Sequence, residues 1–317
     1  MKILVTGGAG FIGSHLILEL LKEGNEITCI DNLNEYYDPA LKEARLNQFR
    51  DKIIFEKVDI TDLEALSSVF EKYKFDKIAH LAAQAGVRYS LTHPHVYVQT
   101  NYIGTANILE LAVKHNVKDM VFASTSSVYG ESLSMPFKET EPADRPVSIY
   151  AATKRACEIL AASYAKTHGM NVTCLRFFTV YGPWGRPDMA LFKFTKNMLE
   201  DKPIDVYNGG EMKRDFTYIS DIVDGFVRAL NKPMGFEIIN LGYGNPVNLM
   251  DFVAVIEKEL AKKAKMNFMP MQPGDVPATY ADVNKAKEIL GFEPSVAVKE
   301  GVKSFVNWYK SYHALGT

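Results

Sequence analysis

KILVTGGAGFIGSHLILELLKEG (Lys2–Gly24) is the stretch that decides the fold. An apolar run of strand length, KILVT, is followed directly by a glycine-rich turn. The next segment has the apolar spacing of one helix face, at Ile12, Leu16, Leu20 and Leu21. Gly24 follows at the position where helices commonly end. The stretch therefore predicts a strand, a tight turn and a helix.

The turn carries three glycines at G-x-x-G-x-x-G spacing, Gly7, Gly10 and Gly13. The first allows the tight turn, the second lets the backbone approach a pyrophosphate, and the third lets the helix pack close to the strand. The helix N-terminus then points at the phosphates. We therefore expect a dinucleotide site, which Phe11 and Ile12 also contact at the start of the helix.

An acidic residue ends the second strand, EITCID. Asp31 stands eighteen positions beyond Gly13, close to the spacing of dinucleotide-binding folds. Its carboxylate can accept from both ribose hydroxyls and would repel a 2′-phosphate, so NAD is favoured over NADP. Asn32 is expected to contact the same part of the cofactor. The alternative is a structural glycine turn with Asp31 as a helix cap.

Two further strand ends are expected to complete the cofactor site, because such cofactors lie at the carboxyl edge of the sheet. Asp59 and Ile60 follow the third strand, and Leu81, Ala82 and Ala83 follow the fourth. We expect them on the adenine and nicotinamide sides.

Strand-length apolar runs alternate with helical patterns through the first half of the chain. This alternation predicts an α/β fold, a Rossmann-type doubly wound parallel sheet covered on both faces. After Phe178 the rhythm changes. We expect an NAD-binding domain at 1–178, with later pieces near 215–242 returning to it. Residues 179–317 are expected to form a smaller, discontinuous, mixed α/β substrate lobe, with a cleft between the two.

Composition excludes several classes of protein. The chain has 317 residues and a net charge of -2, so nothing favours nucleic acid or an anionic membrane as partner. No apolar run reaches the roughly 18 residues of a membrane span, and the N-terminus lacks the long apolar core of a signal peptide. Cys29, Cys157 and Cys174 are widely spaced and odd in number, which indicates reduced core residues and no metal site. We expect a cytoplasmic protein.

Tyr150 and Lys154 are spaced i and i+4, so both project from one helix face. An ammonium beside a phenol favours the phenolate and would lower the tyrosine pKa toward neutrality. The pair would then act as a general base for a secondary alcohol. Taken alone, a surface Tyr/Lys pair is the commoner explanation; the preceding strand end STSS and the glycine turn favour the catalytic one.

The motifs TGGAGFIG, LAA, STSSVYG and YAATK, in this order, resemble the extended short-chain dehydrogenase/reductase family, and the resemblance covers the whole chain. It implies a C-terminal lobe that binds a nucleotide sugar. It also implies that Tyr150 is the catalytic base, that Lys154 is its electrostatic partner and a ligand of the nicotinamide ribose, and that Thr125 lies beside the sugar 4-OH. A homodimer is implied, through the helices near 94–114 and 150–168.

The residues after Thr125 separate the reactions of this family. Its 4,6-dehydratases carry an Asp-Glu pair where Ser126 and Ser127 stand here, and its UDP-glucuronate decarboxylases carry Glu in place of Ser127. Without these carboxyls the site lacks an acid/base pair for elimination. Oxidation at C4 and return of the hydride remain, which is 4-epimerisation through a transient 4-keto sugar with no net redox.

Three stretches look most like UDP-glucuronate 4-epimerases, which interconvert UDP-glucuronic and UDP-galacturonic acid: NEYYDPALKEARL, GVRYS and RFFTVYGPWGRPDMA. Thr179 stands where UDP-galactose 4-epimerases usually show Asn, and Arg88 follows the fourth strand near the expected sugar. Ser126, Ser127 and Thr179 can donate hydrogen bonds to a sugar carboxylate. Ser126 or Ser127 could instead be an ordinary turn residue.

The nucleotide end of the substrate needs cations. Arg186 and Arg214 are candidates, because arginine suits bidentate phosphate contacts. The resemblance implies that Arg214 and Asp275 line the nucleotide site and that Val206 or Tyr207 touches uridine. The alternatives are an ion pair of Arg214 with its neighbour Asp215, and a turn-forming role for Asp275.

Three other functions stay open. A UDP-glucose/UDP-galactose 4-epimerase is opposed by Thr179 and Arg88, and a UDP-glucuronate decarboxylase by Ser127. A catalytically silent NAD-binding regulator is opposed by the presence of Tyr150, Lys154 and Thr125 together.

Overall fold

The computed structural model describes residues 1–132 and 134–314. Its strands, numbered along the chain, are β1 (Lys2–Thr6), β2 (Glu26–Ile30), β3 (Ile54–Glu56), β4 (Lys77–His80), β5 (Asp119–Thr125), β6 (Asn171–Phe177), β7 (Thr179–Tyr181), β8 (Ile204–Tyr207), β9 (Lys213–Arg214), β10 (Phe216–Tyr218), β11 (Phe236–Leu241), β12 (Val247–Asn248) and β13 (Met266–Met269).

The helices, numbered in the same way, are α1 (Phe11–Lys22), α2 (Pro39–Leu46), α3 (Leu63–Lys72), α4 (Val87–Thr92), α5 (Pro94–Tyr97), α6 (Gly104–Lys114), α7 (Ile149–His168), α8 (Ala190–Leu199), α9 (Ile219–Leu230), α10 (Leu249–Leu260), α11 (Asn284–Leu290) and α12 (Val298–Tyr312). A π-helical turn, Val98–Ile103, joins α5 to α6.

Seven strands form one parallel sheet in the order β11-β6-β5-β4-β1-β2-β3. The interior strand β1 is apolar on both faces, and Ile3, Leu4 and Val5 are fully buried. A strand buried on both sides needs helices on both sides, which is why its sequence does not alternate. The predicted α/β fold with a parallel sheet is confirmed.

Two helical layers cover the sheet. One face packs against α1 and α9, and the other against α3, α6 and α7. The longest of these helices, α7, is fixed at both ends, because Ser148 accepts a hydrogen bond from the Ala151 N–H and Gly169 adopts a left-handed conformation (φ 64°) after it. These caps set the position of Tyr150 and Lys154 in its first turns.

A separate core builds the C-terminal part of the molecule from α8, α10 and α12. Aromatic rings dominate it, and the rings of Phe216 and Phe252 stack with centroids 3.9 Å apart. The chain returns from this region through α9 to β11, which pairs with β6 at the edge of the parallel sheet.

The polar stretch after β2 contains a helix that its sequence pattern does not predict. Asp38 caps α2 by accepting from the Ala40 N–H, and Pro39 occupies its first position. The helix is only two turns long, so its periodicity is too short to recognise. Its inner face buries Leu41 and Arg45.

In the described part of the chain, no helix combines the length and the apolar character that crossing a membrane requires.

Candidate active site

One large cavity, of about 640 Å³, lies along the carboxyl edge of the sheet and continues to the C-terminal core. Most of the residues expected to bind cofactor or substrate line it: Gly7, Gly10, Phe11, Ile12, Gly13, Asp31, Asn32, Ile60, Leu81, Ala82, Ala83, Arg88, Thr125, Ser126, Ser127, Tyr150, Lys154, Thr179, Arg186, Arg214 and Asp275. Residues far apart in sequence thus share one wall, while Asp59 and Val206 are not part of it.

The glycine turn leaves no room for side chains. A Cβ at Gly7 would lie 2.7 Å from the Ala82 nitrogen, and one at Gly13 would lie 2.3 Å from the Gly7 oxygen. Gly7 also has a positive φ of 71°. No side chain caps the N-terminus of α1 at Gly10, so its first N–H groups remain available to a phosphate.

Asp31 is held in a fixed orientation by the backbone. Its carboxylate accepts from the Ala9 N–H (3.1 Å) and the Leu33 N–H (2.9 Å). Burial raises the pKa of Asp31, and these hydrogen bonds and the Lys42 charge oppose that rise. Each oxygen keeps a free lone pair, so the group can still accept from a diol.

Asp59 lies behind the cavity wall. Its carboxylate accepts from the Asn32 side-chain amide (2.7 Å) and from the Thr61 N–H (2.8 Å). It therefore supports the lining residue Asn32, while its neighbour Ile60 forms part of the wall. The Asp59 side chain is thus not among the residues that line the cavity, and a cofactor contact by Asp59 stays a prediction.

Tyr150 is surrounded by groups that act on its hydroxyl. Burial raises the pKa of Tyr150, while the Arg186 guanidinium and the nearby Thr125 side chain oppose the rise. Tyr97 packs edge-on against its ring at 6.2 Å. The cation that favours the phenolate is thus Arg186, from a distant loop.

The Lys154 ammonium is hydrogen-bonded to the end of β5. It donates to the Ala123 carbonyl (2.8 Å) and lies 4.6 Å above the centre of the Phe122 ring. Burial lowers the pKa of Lys154 to about 8. The ammonium is therefore bound to the end of β5, and its effect on the pKa of Tyr150 stays a prediction.

The hydroxyl groups after β5 form a short turn facing the cavity. The Thr125 hydroxyl accepts from the Ser127 N–H (3.1 Å) and lies 3.2 Å from the Ser127 hydroxyl, to which it can donate. Ser126 and Thr179 line the same cavity. Beneath this turn, Ser124 donates to the buried Glu158 carboxylate (2.6 Å). Thr125, Ser126, Ser127 and Thr179 are called the hydroxyl row below, and a buried polar contact supports the turn that carries the first three.

An unexpected cluster lines the same cavity as Tyr150. Arg186 makes a bidentate ion pair with Asp188, and its Nε–Oδ1 distance is 2.9 Å. The Tyr36 hydroxyl donates to the same carboxylate (3.1 Å). Tyr36 and Asp188 line the cavity but escaped the sequence analysis. The available signals were the paired tyrosines of NEYYDP and the Arg-x-Asp spacing of the Gly/Pro loop.

The far end of the cavity carries the expected nucleotide residues. The Arg88 guanidinium lies 2.9 Å from the Asp275 carboxylate and 4.1 Å from the centre of the Tyr207 ring. Arg214 donates to the backbone carbonyls of Lys213 and Pro277, and not to Asp215. Arg88 and Asp275 therefore join the sheet side of the cavity to the long loop of the C-terminal side.

Val206 and Tyr207 are the two residues expected to touch uridine, and they face opposite sides of β8. The Val206 side chain is fully buried in the C-terminal core, because side chains alternate along β8. Its neighbours Asp205 and Tyr207 line the cavity. Tyr207, the other residue considered for this contact, is the one whose side chain is available there.

A model of the NAD dependent epimerase/dehydratase family matches residues 3–242. The chain belongs to this family. Within it, the chain is 47% identical over 310 residues to a UDP-glucuronate 4-epimerase of Thermodesulfobacterium geofontis, covering 97% of this chain and 95% of that protein.

Solved epimerase structures share the whole fold. The UDP-glucuronic acid 4-epimerase from Bacillus cereus, in complex with UDP-glucuronic acid and NAD, is 37% identical, with a TM-score of 0.91, 98% of this chain and 100% of that chain covered. The UDP-glucose 4-epimerase of Thermotoga maritima, with UDP-glucose, is 32% identical, with the same TM-score, 99% of this chain and 100% of that chain covered. The backbone alone therefore does not separate the two sugars, and the side chains must.

The cavity fits the dinucleotide that gives the epimerase/dehydratase family its name. The glycine turn leaves a space that a Cβ would fill, the α1 N-terminus has free donors, and Asp31 presents an oriented carboxylate. Among the described residues, no cluster of three or more His, Cys, Asp or Glu side chains could hold a metal.

Proposed function

We propose that this protein interconverts UDP-glucuronic acid and UDP-galacturonic acid by NAD-dependent 4-epimerisation. One observation carries the proposal: four hydroxyl-bearing residues, Thr125, Ser126, Ser127 and Thr179, line the cavity that contains Tyr150. Such donors suit an anionic sugar better than a neutral one. The overall similarity to UDP-glucuronate 4-epimerases supports the same choice.

The carboxylates of the cavity argue against elimination. Those contributed by the described residues are Asp31, Asp188, Asp205 and Asp275. Asp31 belongs to the cofactor turn, while Asp205 and Asp275 belong to the C-terminal end. Asp188 is already bound by Arg186 and Tyr36. No carboxylate therefore replaces the missing acid/base pair at positions 126 and 127.

In the proposed reaction, Tyr150 takes the proton of the sugar 4-OH. Thr125 and Arg186 stabilise the phenolate, since both oppose the rise in the pKa of Tyr150. Bound NAD would accept the hydride from C4 and return it to the opposite face of the sugar, while Tyr150 gives the proton back to the C4 oxygen. Lys154 binds the nicotinamide ribose, and the glycine turn holds the pyrophosphate.

The hydroxyl row has a second task. Oxidation at C4 of a uronic acid produces a β-keto acid, which loses CO₂ readily when its carboxylate stands perpendicular to the carbonyl. Hydrogen bonds from Ser126, Ser127 and Thr179 hold the carboxylate away from that geometry and solvate it. Desolvation would favour loss of CO₂, so a polar wall protects the 4-keto intermediate.

The division of labour follows the two cores. Residues 1–178, with returning pieces near 215–242, hold NAD. The remaining C-terminal residues hold the UDP moiety through Arg214, Asp275 and Tyr207, with Arg88 reaching across from α4. This arrangement anchors the nucleotide and leaves the sugar free to turn.

We further propose a homodimer. Helices α4 to α7 expose apolar side chains that the described residues do not cover, among them Leu91 (43%), Val98 (43%) and Ile159 (58%). A second copy would cover them.

The three cysteines are buried and free, which fits a reducing cytoplasm.

The decisive experiment incubates the purified protein with UDP-glucuronate and resolves UDP-galacturonate, UDP-xylose and unreacted substrate. UDP-galacturonate is the expected product, and Tyr150→Phe is the inactive control. Its absence, together with efficient epimerisation of UDP-galactose, would refute the proposal. UDP-xylose as the main product would identify a decarboxylase instead.

A further inference from the structure

Arg45 is a fully buried arginine outside the catalytic group, in the helix α2 that the sequence pattern did not predict. Its guanidinium donates to the carbonyls of Trp184 (3.1 and 2.7 Å) and Gly185 (3.2 Å). It also donates to the Ala9 carbonyl (3.2 Å) and the Tyr37 hydroxyl (2.6 Å). All these acceptors are neutral. A buried guanidinium is expensive to desolvate, so this arrangement calls for an explanation beyond charge pairing.

The loop that Arg45 binds is strained. Trp184 has a positive φ of 61°, which is unfavourable for a bulky side chain. Such a conformation persists only where surrounding contacts enforce it, at a cost of about 1–3 kcal/mol. Two of the Arg45 hydrogen bonds go to the carbonyl of this residue, and its ring packs against Trp308 and Tyr312 at 5.2 Å.

Arg186 directly follows the two residues whose carbonyls Arg45 binds. Its guanidinium lines the same cavity as Tyr150, and its charge opposes the rise in the pKa of that residue. The position of this loop therefore affects the electrostatic environment of the base. On its other side, Arg45 holds Ala9, whose N–H donates to Asp31. One side chain thus joins the dinucleotide turn to the loop that faces the sugar.

We propose that Arg45 is a positioning residue, which holds the strained 184–185 backbone against the dinucleotide turn and thereby keeps Arg186 in place beside Tyr150. This inference rests on the proposed function, since it assigns to Arg45 the alignment of that same site. Arg45 does not line the cavity and acts only through the residues that it binds.

The test uses Arg45→Lys in the full chain, which retains the charge but cannot reproduce the planar set of donors. Arg50→Lys is the matched control, because Arg50 lies nearby, is 45% exposed and pairs with Glu43 at the surface. We expect kcat with UDP-glucuronate to fall about 10- to 100-fold with little change in KM, because misplaced groups slow chemistry more than binding. Arg50→Lys should match the wild type.

Two readouts separate positioning from general destabilisation. The titratable or charged groups facing Tyr150 are Arg186, Asp188, Tyr97 and, from its own helix, Lys154. A misplaced Arg186 opposes the rise in the pKa of Tyr150 less strongly, so that pKa increases. The acidic limb of the pH profile of kcat should therefore move to higher pH. The second readout is tryptophan fluorescence, since the chain has only two tryptophans. The fluorescence of Trp184 should differ between the variant and the wild type even when no substrate is present.

If Arg45→Lys does not fold, Tyr37→Phe removes one acceptor of the same guanidinium and should shift the profile in the same direction, by less. A folded Arg45→Lys with an unshifted pH profile would overturn the inference, as would activity lost only in proportion to unfolded protein. If the wild type makes no UDP-galacturonate, the proposed function fails. In that case, altered tryptophan fluorescence of the variant, together with weaker NAD binding measured by calorimetry, would still support the contact that Arg45 makes between the dinucleotide turn and the 184–185 backbone.

Discussion

The Lys154 ammonium donates a hydrogen bond to the Ala123 carbonyl at 2.8 Å, directly beneath the hydroxyl row that begins at Thr125. This contact joins the helix that carries the base to the strand that carries the sugar-facing hydroxyls. The contact also buries a cation against a neutral acceptor, so the stability and the activity of the protein should both depend on pH.

The first prediction concerns Lys154. Burial lowers its pKa to about 8 from the ordinary lysine value of 10.5, so the unfolded chain binds more protons between these values. The penalty for burying the cation is fully present below pH 8 and disappears as the pH rises toward 10.5. Lys154→Met should therefore unfold at equal or higher denaturant concentration than the wild type at pH 7, although its kcat falls by about 10² or more.

The activity profile tests the same residue. Because the ammonium form is needed at the ribose and at Ala123, wild-type kcat should decline as the pH rises above about 8. Lys303→Met, an exposed substitution on α12, is the control and should leave both measurements unchanged. A Lys154→Met protein that is much less stable than wild type at pH 7 would contradict the argument.

The second prediction concerns the hydroxyl row. Removing Ser127 or Thr179 takes one donor from the substrate carboxylate, and a hydrogen bond to a charged group contributes about 1.5–3 kcal/mol. Ser127→Ala and Thr179→Ala should raise KM for UDP-glucuronate about tenfold or more and release more decarboxylated UDP-4-keto-pentose.

Thr125 provides the internal comparison, because it contacts Tyr150 itself. Thr125→Ala should lower kcat by about 10²-fold without changing the product ratio. Chromatography of the nucleotide sugars measures both quantities. If neither alanine variant of Ser127 and Thr179 increases the keto-pentose, the hydroxyls do not protect the carboxylate.

The third prediction concerns the choice of cofactor. Asp31 accepts from Ala9 and Leu33, and the cation of Lys42 lies close enough to oppose the rise in its pKa. Asp31→Asn should keep one backbone hydrogen bond, weaken NAD binding, and narrow the preference over NADP, because Lys42 then favours a 2′-phosphate. Titration calorimetry with both cofactors measures this, with Asp51→Asn as an exposed control. Unchanged discrimination would refute the role of Asp31.

Local pattern was sufficient for the parts of the site that local spacing determines. The glycine turn is contiguous, and the spacing of Tyr150 and Lys154 places them on one helix face whatever surrounds them. The parallel sheet followed from apolar runs separated by helical periodicity. The pattern that predicts each of these features spans only about a dozen residues at a time, even though the sheet itself pairs Ile3 with Lys77, 74 positions away.

Contacts between distant segments could not be predicted in this way. Arg45 and the Trp184 carbonyl are 139 positions apart, and Tyr36 and Asp188 are 152 apart. The hydrogen bond from Lys154 to Ala123 could not be predicted, because only the folded sheet brings that carbonyl near. The sequence also could not decide which of Val206 and Tyr207 faces the cavity, since neighbouring positions on a strand face opposite sides.

The last prediction concerns His80, which is fully buried between two threonine hydroxyls, Thr6 (2.7 Å) and Thr105 (3.0 Å). Burial, assisted by the charge of Lys154, lowers the pKa of His80 to about 3 from 6.5. Between these values the unfolded chain binds more protons, so stability falls as the pH drops below 6.5, by up to about 1.4 kcal/mol per pH unit from this group. His80→Gln keeps a neutral group that can donate and accept, and should lose less stability between pH 6.5 and 4. Urea unfolding at several pH values measures the difference, with pH 8 as the reference at which both side chains are neutral. Equal slopes for the two proteins would show that His80 is not the source of the acid sensitivity.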